Sequence, residues 1–493
     1  MLLTALPSDI LILVLQRLSV PELAALSETC RLLYSLVTDF GWKAYLRANP
    51  RPSYSLAQTR RKWPPKTQVQ YDFQVDRFWS RAEFIARPLS RPWAGKLQPI
   101  LAINTSRLVV AAGSGIISYK FGVSRDRESP PIHFEGRISF APPQGRASDI
   151  TAITFVDDGE LDRTLYVAFQ DGTLQRVVLQ PPPSDDPTAP LGATCSASPH
   201  VHDGDFFESL SSERSMLLSL SSAGAAALTN LQTASSSQVV PLNARSWVSQ
   251  LCLDSSGPYA AFGTSSTIPL RVHSITNEGF RKTPSVTFHT SVNSDFSPRA
   301  PVSSAVYGIS RAPLASPWGA SPQILVSGWF DGKVRCYDLR SSSRVTAAAG
   351  LPEGPAPLRP VLTMKDPLQL ETIYSVSCGG GSASHIAAGS ARHSVVSFWD
   401  IRSPASGWSV HAPGNDPSPV YYVILESSRL YGATQSRPFV YDFGPGVNFE
   451  TYPSLPDGRG IDGLKRPKKD WNGIGYYVTK YSHTTRGLPA NES

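Results

Sequence analysis

The sequence is poor in charge and in cysteine. Charged residues make up only 17% of the 493 residues, below the average of about a quarter. The five cysteines are scattered without a C-x-x-C pair, which excludes a zinc finger or disulfide framework and suits a reducing compartment. The low charge, beside 41% hydrophobic residues, argues against wholesale disorder. A chain of this length is expected to form two or three domains.

Long hydrophobic runs are also missing. No stretch reaches the roughly 18 uncharged apolar residues that a membrane helix needs. The apolar start has no basic region before it and is interrupted by Pro7-Ser8-Asp9, so we do not expect a signal peptide. The run Lys465-Arg466-Pro467-Lys468-Lys469 resembles a weak nuclear-import signal, although such runs are more often solvated loops. We therefore predict a cytoplasmic or nuclear protein, or both, that binds no membrane.

Motifs of catalysis and cofactor binding are absent too. The sequence contains no Walker A loop, no H-E-x-x-H and no G-x-S-x-G. The glycine-rich segment 379–382 lacks a following lysine and is interpreted as a turn between strands. His385 and His393 share one repeat with Cys378 but lack metal-ligand spacing, and nothing favours a Ser-His-Asp triad. We predict a protein with no catalytic residues, no bound metal and no cofactor.

Positive charge is concentrated in one segment. The chain carries a net charge of +7, but residues 43–96 hold 12 Lys/Arg against 3 Asp/Glu. Aromatic residues are interleaved with these charges, among them Trp63, Tyr71, Trp79 and Phe84. Such a mixture can bind nucleic acid, can dock on an acidic protein, or can be a linker whose aromatics anchor the head while its charges stay solvated. We favour the linker over 49–96 and expect no nucleic-acid partner.

The first 48 residues have helical periodicity. Ile10, Leu11, Val14, Leu15 and Leu18 fall on one face of a helix. The segment Ser19-Val20-Pro21-Glu22 is typical of a capping box at the start of a second helix. About 40 residues of helix cannot bury this many apolar side chains by themselves. Some of that surface is expected to dock either on the rest of the chain or on another protein.

This segment resembles an F-box. The order Leu6-Pro7-Ser8-Asp9-Ile10-Leu11, Leu18-Ser19, Leu23-Ala24-Ala25-Leu26, Thr29-Cys30-Arg31 and Trp42 matches nearly the whole motif. The resemblance implies a three-helix F-box domain over 1–48 that binds the Skp adaptor of SCF ubiquitin ligases. It further implies that the adaptor contacts a set of apolar residues, some of which share in the domain's core: Leu6, Pro7, Ile10, Leu11, Val14, Leu18, Leu23 and Leu26.

After residue 97 one strand pattern recurs. An apolar strand leads to a second strand with small residues, a turn, and a third strand that ends in an aromatic residue and Asp, as at Asp338 and Asp400. Asp-Gly at 171–172 and 331–332 marks the turn between antiparallel strands. Seven copies can be counted, and their clearest apolar strands begin near residues 109, 165, 217, 259, 324, 386 and 430. Stacking such small sheets around an axis buries both of their faces.

The repeats resemble those of WD-repeat propellers. The predicted fold is therefore mainly β, a seven-bladed WD-repeat-like β-propeller over 97–445 preceded by the three-helix F-box domain. The Gly-His dipeptide of good repeats is missing, which counts against the usual buried His-Asp network. Segments near 124–146, 181–204, 276–300, 341–368 and 403–418 are interpreted as loop insertions. The strand that closes the ring is expected within the tail, 446–493, from 447–452 or 476–481, with the region around 69–73 as the alternative.

The combination of head and repeats resembles the F-box/WD-repeat family, and its degenerate repeats are similar to those of the branch that includes dactylin. This resemblance implies a substrate-recognition subunit of an SCF ubiquitin ligase, with the Skp adaptor, a cullin and a target protein as partners. Arg335, Arg392 and Arg437 lie near strand turns and are candidates for binding acidic or phosphorylated target motifs. The alternative is a propeller that serves as an interaction scaffold without ubiquitin transfer.

Overall fold

The computed structural model describes most of the chain. The described residues are 6–124, 127–140, 148–159, 161–180, 191–198, 202, 204–236, 239–277, 279–290, 303–344, 356–414, 416–455 and 468–484. Of the basic run at 465–469, the first three residues lie outside this set. Within these residues no helix combines the length and the apolar character needed to cross a bilayer.

The head is helical, as the periodicity predicts. Its helices are α1 (Ser8–Leu15), α2 (Val20–Ser27), α3 (Arg31–Leu36) and α4 (Trp42–Ala48), with a π-helical turn (Val37–Gly41) joining α3 to α4. The predicted capping box is confirmed, since the Ser19 amide donates to the Glu22 carboxylate at 2.7 Å. The head encloses a core of apolar side chains: Leu11, Leu15, Leu23, Leu33, Leu36, Val37 and Trp42.

The connector is ordered into two further helices and a strand. Helix α5 (Ala57–Lys62) is short, and α6 (Pro65–Ser80) is the longest of the described helices. Pro64 precedes α6 and Pro65 opens it, where the missing amide hydrogen of proline costs no helical hydrogen bond. The strand β1 (Ile85–Pro88) follows α6 and already belongs to the propeller.

The strands form successive antiparallel groups that we call blades 1 to 7. Within each blade the strands are counted outward from the innermost, which is the first. Blade 1 comprises Ile100–Ile103, Arg107–Ala112, Gly115–Phe121 and Ile132–Ser139. Blade 2 comprises Ile150–Phe155, Thr164–Phe169, Leu174–Leu179 and Ala193–Ala197. Blade 3 comprises Phe207–Glu213, Met216–Ser221, Ala225–Asn230 and the short outer strands Ser235–Ser236 and Val240–Pro241.

Four blades complete the ring. Blade 4 comprises Arg245–Cys252, Tyr259–Ser266, Leu270–Thr276 and the short outer strands Gly279–Phe280 and Val286–Thr287. Blade 5 comprises Ser304–Arg311, Ile324–Trp329, Lys333–Asp338 and Leu362–Lys365. Blade 6 comprises Ile373–Gly379, His385–Ser390, Val395–Asp400 and Ser403–His411. Blade 7 comprises Val420–Leu425, Arg429–Thr434, Pro438–Asp442 and the closing strand β1.

The first strands of the described blades contact one another in a closed cycle from blade 1 through blade 7 and back to blade 1. This ring confirms the predicted mainly β, propeller-like fold and fits seven blades. Small residues let the blades approach one another, as predicted. A Cβ on Gly328 would lie 2.5 Å from the Ile373 side chain of the next blade, and one on Gly389 would lie 2.8 Å from Val420. Apolar layers fill the spaces between blades.

The prediction of the closing strand is wrong. Residues 447–452 form turns, and 69–73 lie within α6. Instead, Ile85–Pro88 pairs with Pro438–Asp442, with Ile85 opposite Asp442 and Pro88 opposite Phe439. The chain therefore closes its ring with a strand that precedes blade 1. An edge strand needs hydrogen bonds on one side only, so the proline at the end of β1 costs little there.

The tail adds a strand to a different blade. Lys480–Ser482 pairs with Ser403–His411 as a fifth strand of blade 6. On the way there, the Tyr476 amide donates to the Ala86 carbonyl at 2.8 Å, and the Arg87 guanidinium donates to the Ile474 carbonyl at 3.0 Å. The tail thus holds the closing strand against blade 7 and then continues to blade 6.

Several segments predicted as loop insertions contain outer strands. The fourth strands of blades 1, 2, 5 and 6 fall within 124–146, 181–204, 341–368 and 403–418. Their apolar signal is weak because the outermost strand of a blade is covered on fewer sides. In blade 2, for example, four of the five residues of Ala193–Ala197 are exposed.

Candidate functional site

Helix α1 is apolar on two faces. Leu11 and Leu15 lie in the core of the head, with exposed fractions of 3% and 2%. Ile10, Leu13 and Val14 lie on the outer side and are exposed at 44%, 57% and 38%. The spacing i, i+3, i+4 places these three side chains on one stripe. A helix that is apolar all round is normally covered all round, and the described chain leaves the outer stripe of α1 open.

The predicted adaptor-contact residues divide into two groups. Pro7, Ile10 and Val14 are exposed, and a second set is half-buried: Leu6, Leu18 and Leu26. Leu11 and Leu23 were predicted to contact the adaptor, but they are buried against other side chains of the head. These two assignments are corrected, because Leu11 and Leu23 cannot reach another protein while the head stays folded.

Part of the exposed apolar surface of the head was not predicted from the sequence. Leu13 was not chosen, although its distance of three residues from Ile10 and one from Val14 would have placed it on the outer stripe of α1. Other large apolar side chains of the head are also exposed: Leu32, Tyr34 and Phe40. The sequence after α2 did not indicate that these side chains are exposed, because α3 and the π-helical turn carry apolar side chains on several faces.

Helix α6 joins the head to the propeller. Its Val69 packs into the core of the head, whereas Tyr71, Val75 and Trp79 pack into the apolar layer beneath blades 6 and 7. The Trp79 ring stacks on Phe443 with 3.7 Å between ring centroids, and its indole nitrogen donates to the Ser427 carbonyl at 2.9 Å. This confirms the interpretation that aromatics of the connector anchor the head.

Trp79 rests on the glycine-rich turn at 379–382, which connects the first two strands of blade 6 as predicted. Gly380 and Gly381 have positive φ angles of 65° and 50°, a region that L residues rarely adopt. A Cβ on Gly380 would lie 3.0 Å from the Trp79 ring. We call this edge of the ring, with the turns between first and second strands, the lower rim, and the opposite edge the upper rim.

Charges of the connector are partly buried, which corrects the prediction that they stay solvated. Arg51 donates to both carboxylate oxygens of Asp76 at 2.6 Å, and Arg60 donates to Asp72 at 2.6 Å. Burial raises the pKa of the Asp72 carboxyl above its usual value, against the opposing effect of Arg60 and Arg51. The arginines that suggested nucleic-acid binding thus stiffen the joint between α5 and α6.

The three arginines predicted to bind a target all lie toward the upper rim, but two of them are already engaged. Arg335 is 2% exposed and donates to both oxygens of Asp331, at 3.0 and 2.6 Å. Arg437 is half-buried and donates to the Gly414 carbonyl at 2.6 Å. Arg392 alone of the three is well exposed, at 72% of its side chain, and lies 3.7 Å from Glu371. The assignment of Arg335 as a target-binding residue is therefore corrected.

A channel of about 1320 Å³ runs through the ring and is lined by the first strands of the blades. Tyr54 from the connector reaches its lower end. The Tyr54 and Ser55 amides donate to the Glu426 carboxylate, at 2.5 and 2.9 Å. Burial raises the pKa of Glu426 above its usual value. The connector thus reaches the lower mouth of the channel beside blade 7.

One buried cluster has the composition of a catalytic triad but not its geometry. Ser409 Oγ lies 2.7 Å from His483 Nε2, and Asp366 Oδ2 lies 3.4 Å from the same nitrogen. In a triad the two ring nitrogens face the nucleophile and the acid separately. Tyr481 also donates to Asp366, at 2.7 Å. The cluster therefore anchors the C-terminal strand to blade 6.

Metal-ligating groups do not converge in the described part of the chain. No set of three or more His, Cys, Asp or Glu side chains there could hold a metal ion. His385 stacks on Trp79 at the lower rim, with 4.4 Å between ring centroids, and burial lowers its pKa. His393 lies in a turn at the upper rim.

Known proteins resemble the two parts of the chain. Residues 3–44 match the family model of the F-box domain. No curated protein matches the chain. Among solved structures, the WD40 repeats of RRP9 align over 73% of this chain and 97% of that one, with 15% identity and a TM-score of 0.45. U3-55K gives the same identity and TM-score over 73% of this chain and 98% of that one. Sqt1 from Chaetomium thermophilum, bound to the N-terminus of ribosomal protein L10, aligns over 69% of this chain and 81% of that one, with 11% identity and a TM-score of 0.44.

The match to the F-box domain confirms the predicted resemblance of the head. The strand topology supplies the other half of the description, a closed ring of WD-repeat-like blades. The chain combines an F-box domain, matched over residues 3–44, with a β-propeller, and α6 joins the two at the lower rim.

Proposed function

We propose that this chain is the non-catalytic substrate-recognition subunit of an SCF-type ubiquitin ligase. The F-box binds the Skp adaptor and, through it, the cullin, while the propeller binds a target protein. Such a subunit raises the effective concentration of the target's lysines near the charged conjugating enzyme. We place the action of this ligase in the cytoplasm, the nucleus or both.

The outer stripe of α1 is the observation that carries this proposal. Ile10, Leu13 and Val14 are exposed although the same helix already supplies the core of the head. Exposed apolar stripes of this kind are typical of protein interfaces. Because no described residue of the connector or the propeller covers the stripe, it is available to an adaptor.

The position of the joint supports the same function. The connector packs against the lower rim at blades 6 and 7, so a partner that binds the upper rim would not compete with it. An adaptor on the head and a target on the upper rim would then bind at opposite ends of the molecule without competing.

The adaptor half of the proposal is tested with the double variant Ile10→Asp plus Val14→Asp. Burying an aliphatic side chain contributes about 1.5–3 kcal/mol, so placing two carboxylates in the interface is expected to weaken adaptor binding by at least about 100-fold. Co-expression with the Skp adaptor, followed by size-exclusion chromatography and titration calorimetry, measures the loss. Both positions are exposed, so the free variant is expected to keep the thermal midpoint of the parent.

Leu368→Asp is the matched control, because it makes the same kind of change at an exposed leucine of the upper rim. It is expected to bind the adaptor as the parent does. Adaptor binding that survives the double change in α1 would contradict the proposal. If the adaptor binds but ubiquitylation of proteins captured by the propeller does not depend on this chain, the scaffold alternative is correct.

A further inference from the structure

A β-bulge recurs at the start of the first strand in six blades. The strand pairing skips one residue in each: Thr151, Glu208, Trp247, Tyr307, Tyr374 and Tyr421. A bulged residue leaves the ladder, and its side chain is re-aimed. In every one of these blades the skipped residue lines the channel. Because first strands begin at the upper rim, the bulges place these side chains at the upper mouth.

In blades 4 to 7 the bulged residue is aromatic, and we call these four residues the aromatic arc: Trp247, Tyr307, Tyr374 and Tyr421. Their ring centroids follow one another at 5.0, 5.6 and 5.4 Å. Arg245 lies against the far end of the arc, 4.1 Å from the Trp247 ring. All four rings are half-buried, so each presents part of its surface to the mouth. Rings that support each other lose little conformational freedom on binding, which favours their use as contact surface.

An exposed apolar patch adjoins the arc on the upper rim of blades 5 and 6. Phe330, Leu368 and Leu370 are exposed at 58%, 61% and 66%. Phe330 follows the second strand of blade 5, and its carbonyl accepts from the Thr372 hydroxyl at 3.0 Å, next to the strand that carries Tyr374. The loop that carries both leucines leads directly into that strand. Arc and patch therefore lie on the same part of the rim.

Charge differs between the two sides of the mouth. Beside the arc and the patch, Lys96, Lys365 and Arg392 are exposed, and they outnumber two carboxylates there: the exposed Asp331, which pairs with Arg335, and the half-buried Glu371, 3.7 Å from Arg392. On the opposite side, blade 2 presents the exposed carboxylates of Asp149 and Asp171. The arc side is thus cationic at its margin and apolar at its centre. That combination is complementary to a segment with bulky apolar side chains flanked by acidic residues.

We propose that the aromatic arc and the adjoining patch bind an extended, unphosphorylated target segment that inserts a bulky apolar side chain at the upper mouth and directs acidic residues to Lys96 and Arg392. This inference rests on the proposed function in assigning a target to the propeller. Arg335 and Arg437 already donate to acceptors of this chain, so they do not supply the arginine cluster that usually grips a phosphate group. Affinity comes from burial of the rings and leucines, and the cations at the margin select acidic flanks.

A randomised peptide library displayed on phage tests the proposal, with the full chain as bait in the presence and in the absence of the Skp adaptor. Enriched peptides are expected to contain Phe, Leu, Trp or Met with neighbouring Asp or Glu. A synthetic copy of the most enriched peptide is then titrated. Tyr374→Ala and Leu370→Ala are each expected to weaken its binding about tenfold or more, as truncation of an interface anchor does. Arg392→Glu is expected to weaken acidic peptides and to spare versions in which Asp and Glu become Asn and Gln.

Leu161→Ala, at an exposed leucine between the first two strands of blade 2, is the matched control and is expected to leave peptide affinity unchanged. Selection of basic peptides, binding only of phosphorylated peptides, no enrichment, or affinity indifferent to Tyr374→Ala and Leu370→Ala would each overturn the inference. The two proposals fail separately. A chain that selects the expected peptides without binding the adaptor refutes only the ligase role, whereas adaptor binding without such selection refutes only the upper-rim site.

Discussion

At the scale of single residues, one buried ion pair holds the seam of the ring. Arg429 Nε lies 2.9 Å from Asp442 Oδ2, and both side chains are completely buried. Arg429 also donates to the Pro130 carbonyl of blade 1, and Asp442 accepts from the Ser129 hydroxyl of the same blade at 3.2 Å. The pair therefore links the last blade to the first. Each charge offsets the cost of burying the other, since either one alone would be costly to bury.

Asp442→Asn is expected to destabilise the propeller by about 3–5 kcal/mol, because it leaves the Arg429 guanidinium buried without a counter-charge. The change keeps the size of the side chain, so lost packing contributes little. Urea denaturation followed by tryptophan fluorescence measures the effect. Glu83→Gln is the control, since its pair with Arg81 is half exposed on both sides and is expected to contribute less than about 0.5 kcal/mol. Equal effects of the two variants would contradict this account of the seam.

The sequence pointed to one member of that pair and not to the other. Asp442 ends a strand after an aromatic residue, Tyr441, so it fits the repeat pattern seen at Asp338 and Asp400. Arg429 gave no signal, since it opens a strand where an arginine is usually exposed. Only the ring closure, which brings Ser129 and Pro130 of blade 1 against blade 7, buries it. Arg335 was likewise predicted to face a partner, because the sequence does not show its contact with Asp331. The two side chains meet only when the strands on either side of their turn pair.

At the scale of elements, inner strands could be predicted from the sequence and outer ones could not. The second and third strands of blades 5 and 6 are almost wholly buried and have a clear apolar pattern. Outer strands such as Ser403–His411 alternate irregularly between buried and exposed and were interpreted as loops. The closing strand Ile85–Pro88 is four residues long and follows a helix, so its sequence resembles a linker. The bulges that form the aromatic arc depend on strand pairing, so they could not be predicted from the sequence either.

The C-terminal strand depends on the ionised carboxylate of Asp366. Burial raises the pKa of Asp366, but hydrogen bonds from His483, Ser409 and Tyr481 outweigh it and hold that pKa well below the usual value. A group whose pKa is lower in the folded state stabilises the fold above its unfolded pKa, about 3.9, and the stabilisation is lost as the pH falls below that. Asp366→Asn is therefore expected to lower the free energy of unfolding at pH 7. The difference in this free energy between variant and parent is expected to shrink as the pH falls below about 4. Urea titrations of both proteins at pH 7 and pH 3.5 measure this, and a constant difference would refute it.

Asp366 also connects this strand to the upper rim. Its other carboxylate oxygen accepts from the Leu368 amide at 2.9 Å, in the loop that presents Leu368 and Leu370. A tail strand at the edge of blade 6 thus steadies part of the proposed target site. Because the tail passes over β1 before it reaches blade 6, ring closure, loop position and tail docking depend on one another.

At the scale of the whole molecule, the order of head, connector and ring followed from the sequence, but their rigidity did not. Aromatics in a basic segment are consistent with a flexible tether as much as with a rigid joint. The structure resolves this through α6, which has one end in the core of the head and the other beneath blades 6 and 7. Since β1 follows α6 after four residues, the ring cannot close without placing the helix against the lower rim.

Trp79→Ala tests whether that joint fixes the direction of the head. Removing a buried indole costs about 3–5 kcal/mol, and here it also removes the stacking on Phe443 and the hydrogen bond to Ser427. We expect the ring to stay closed through β1 while the head gains freedom. Cys30 and Cys195 are both exposed, so Cys195 is first changed to Ser. Fluorescence energy transfer between labels at Cys30 and at a cysteine introduced on blade 3 is then expected to change from one narrow distance distribution to a broad one, with adaptor affinity unchanged.

Phe73→Ala is the matched control for that experiment, because Phe73 lies on the same helix but is 49% exposed. It is expected to leave the distance distribution narrow. A ligase that holds its target at a fixed distance from the conjugating enzyme depends on this rigidity, since positioning contributes only while the geometry is maintained. Trp79→Ala should therefore reduce ubiquitylation of a bound target even though both partners still bind. An unchanged rate with a broadened distribution would mean that tethering alone suffices and that the rigid joint serves only the stability of the fold.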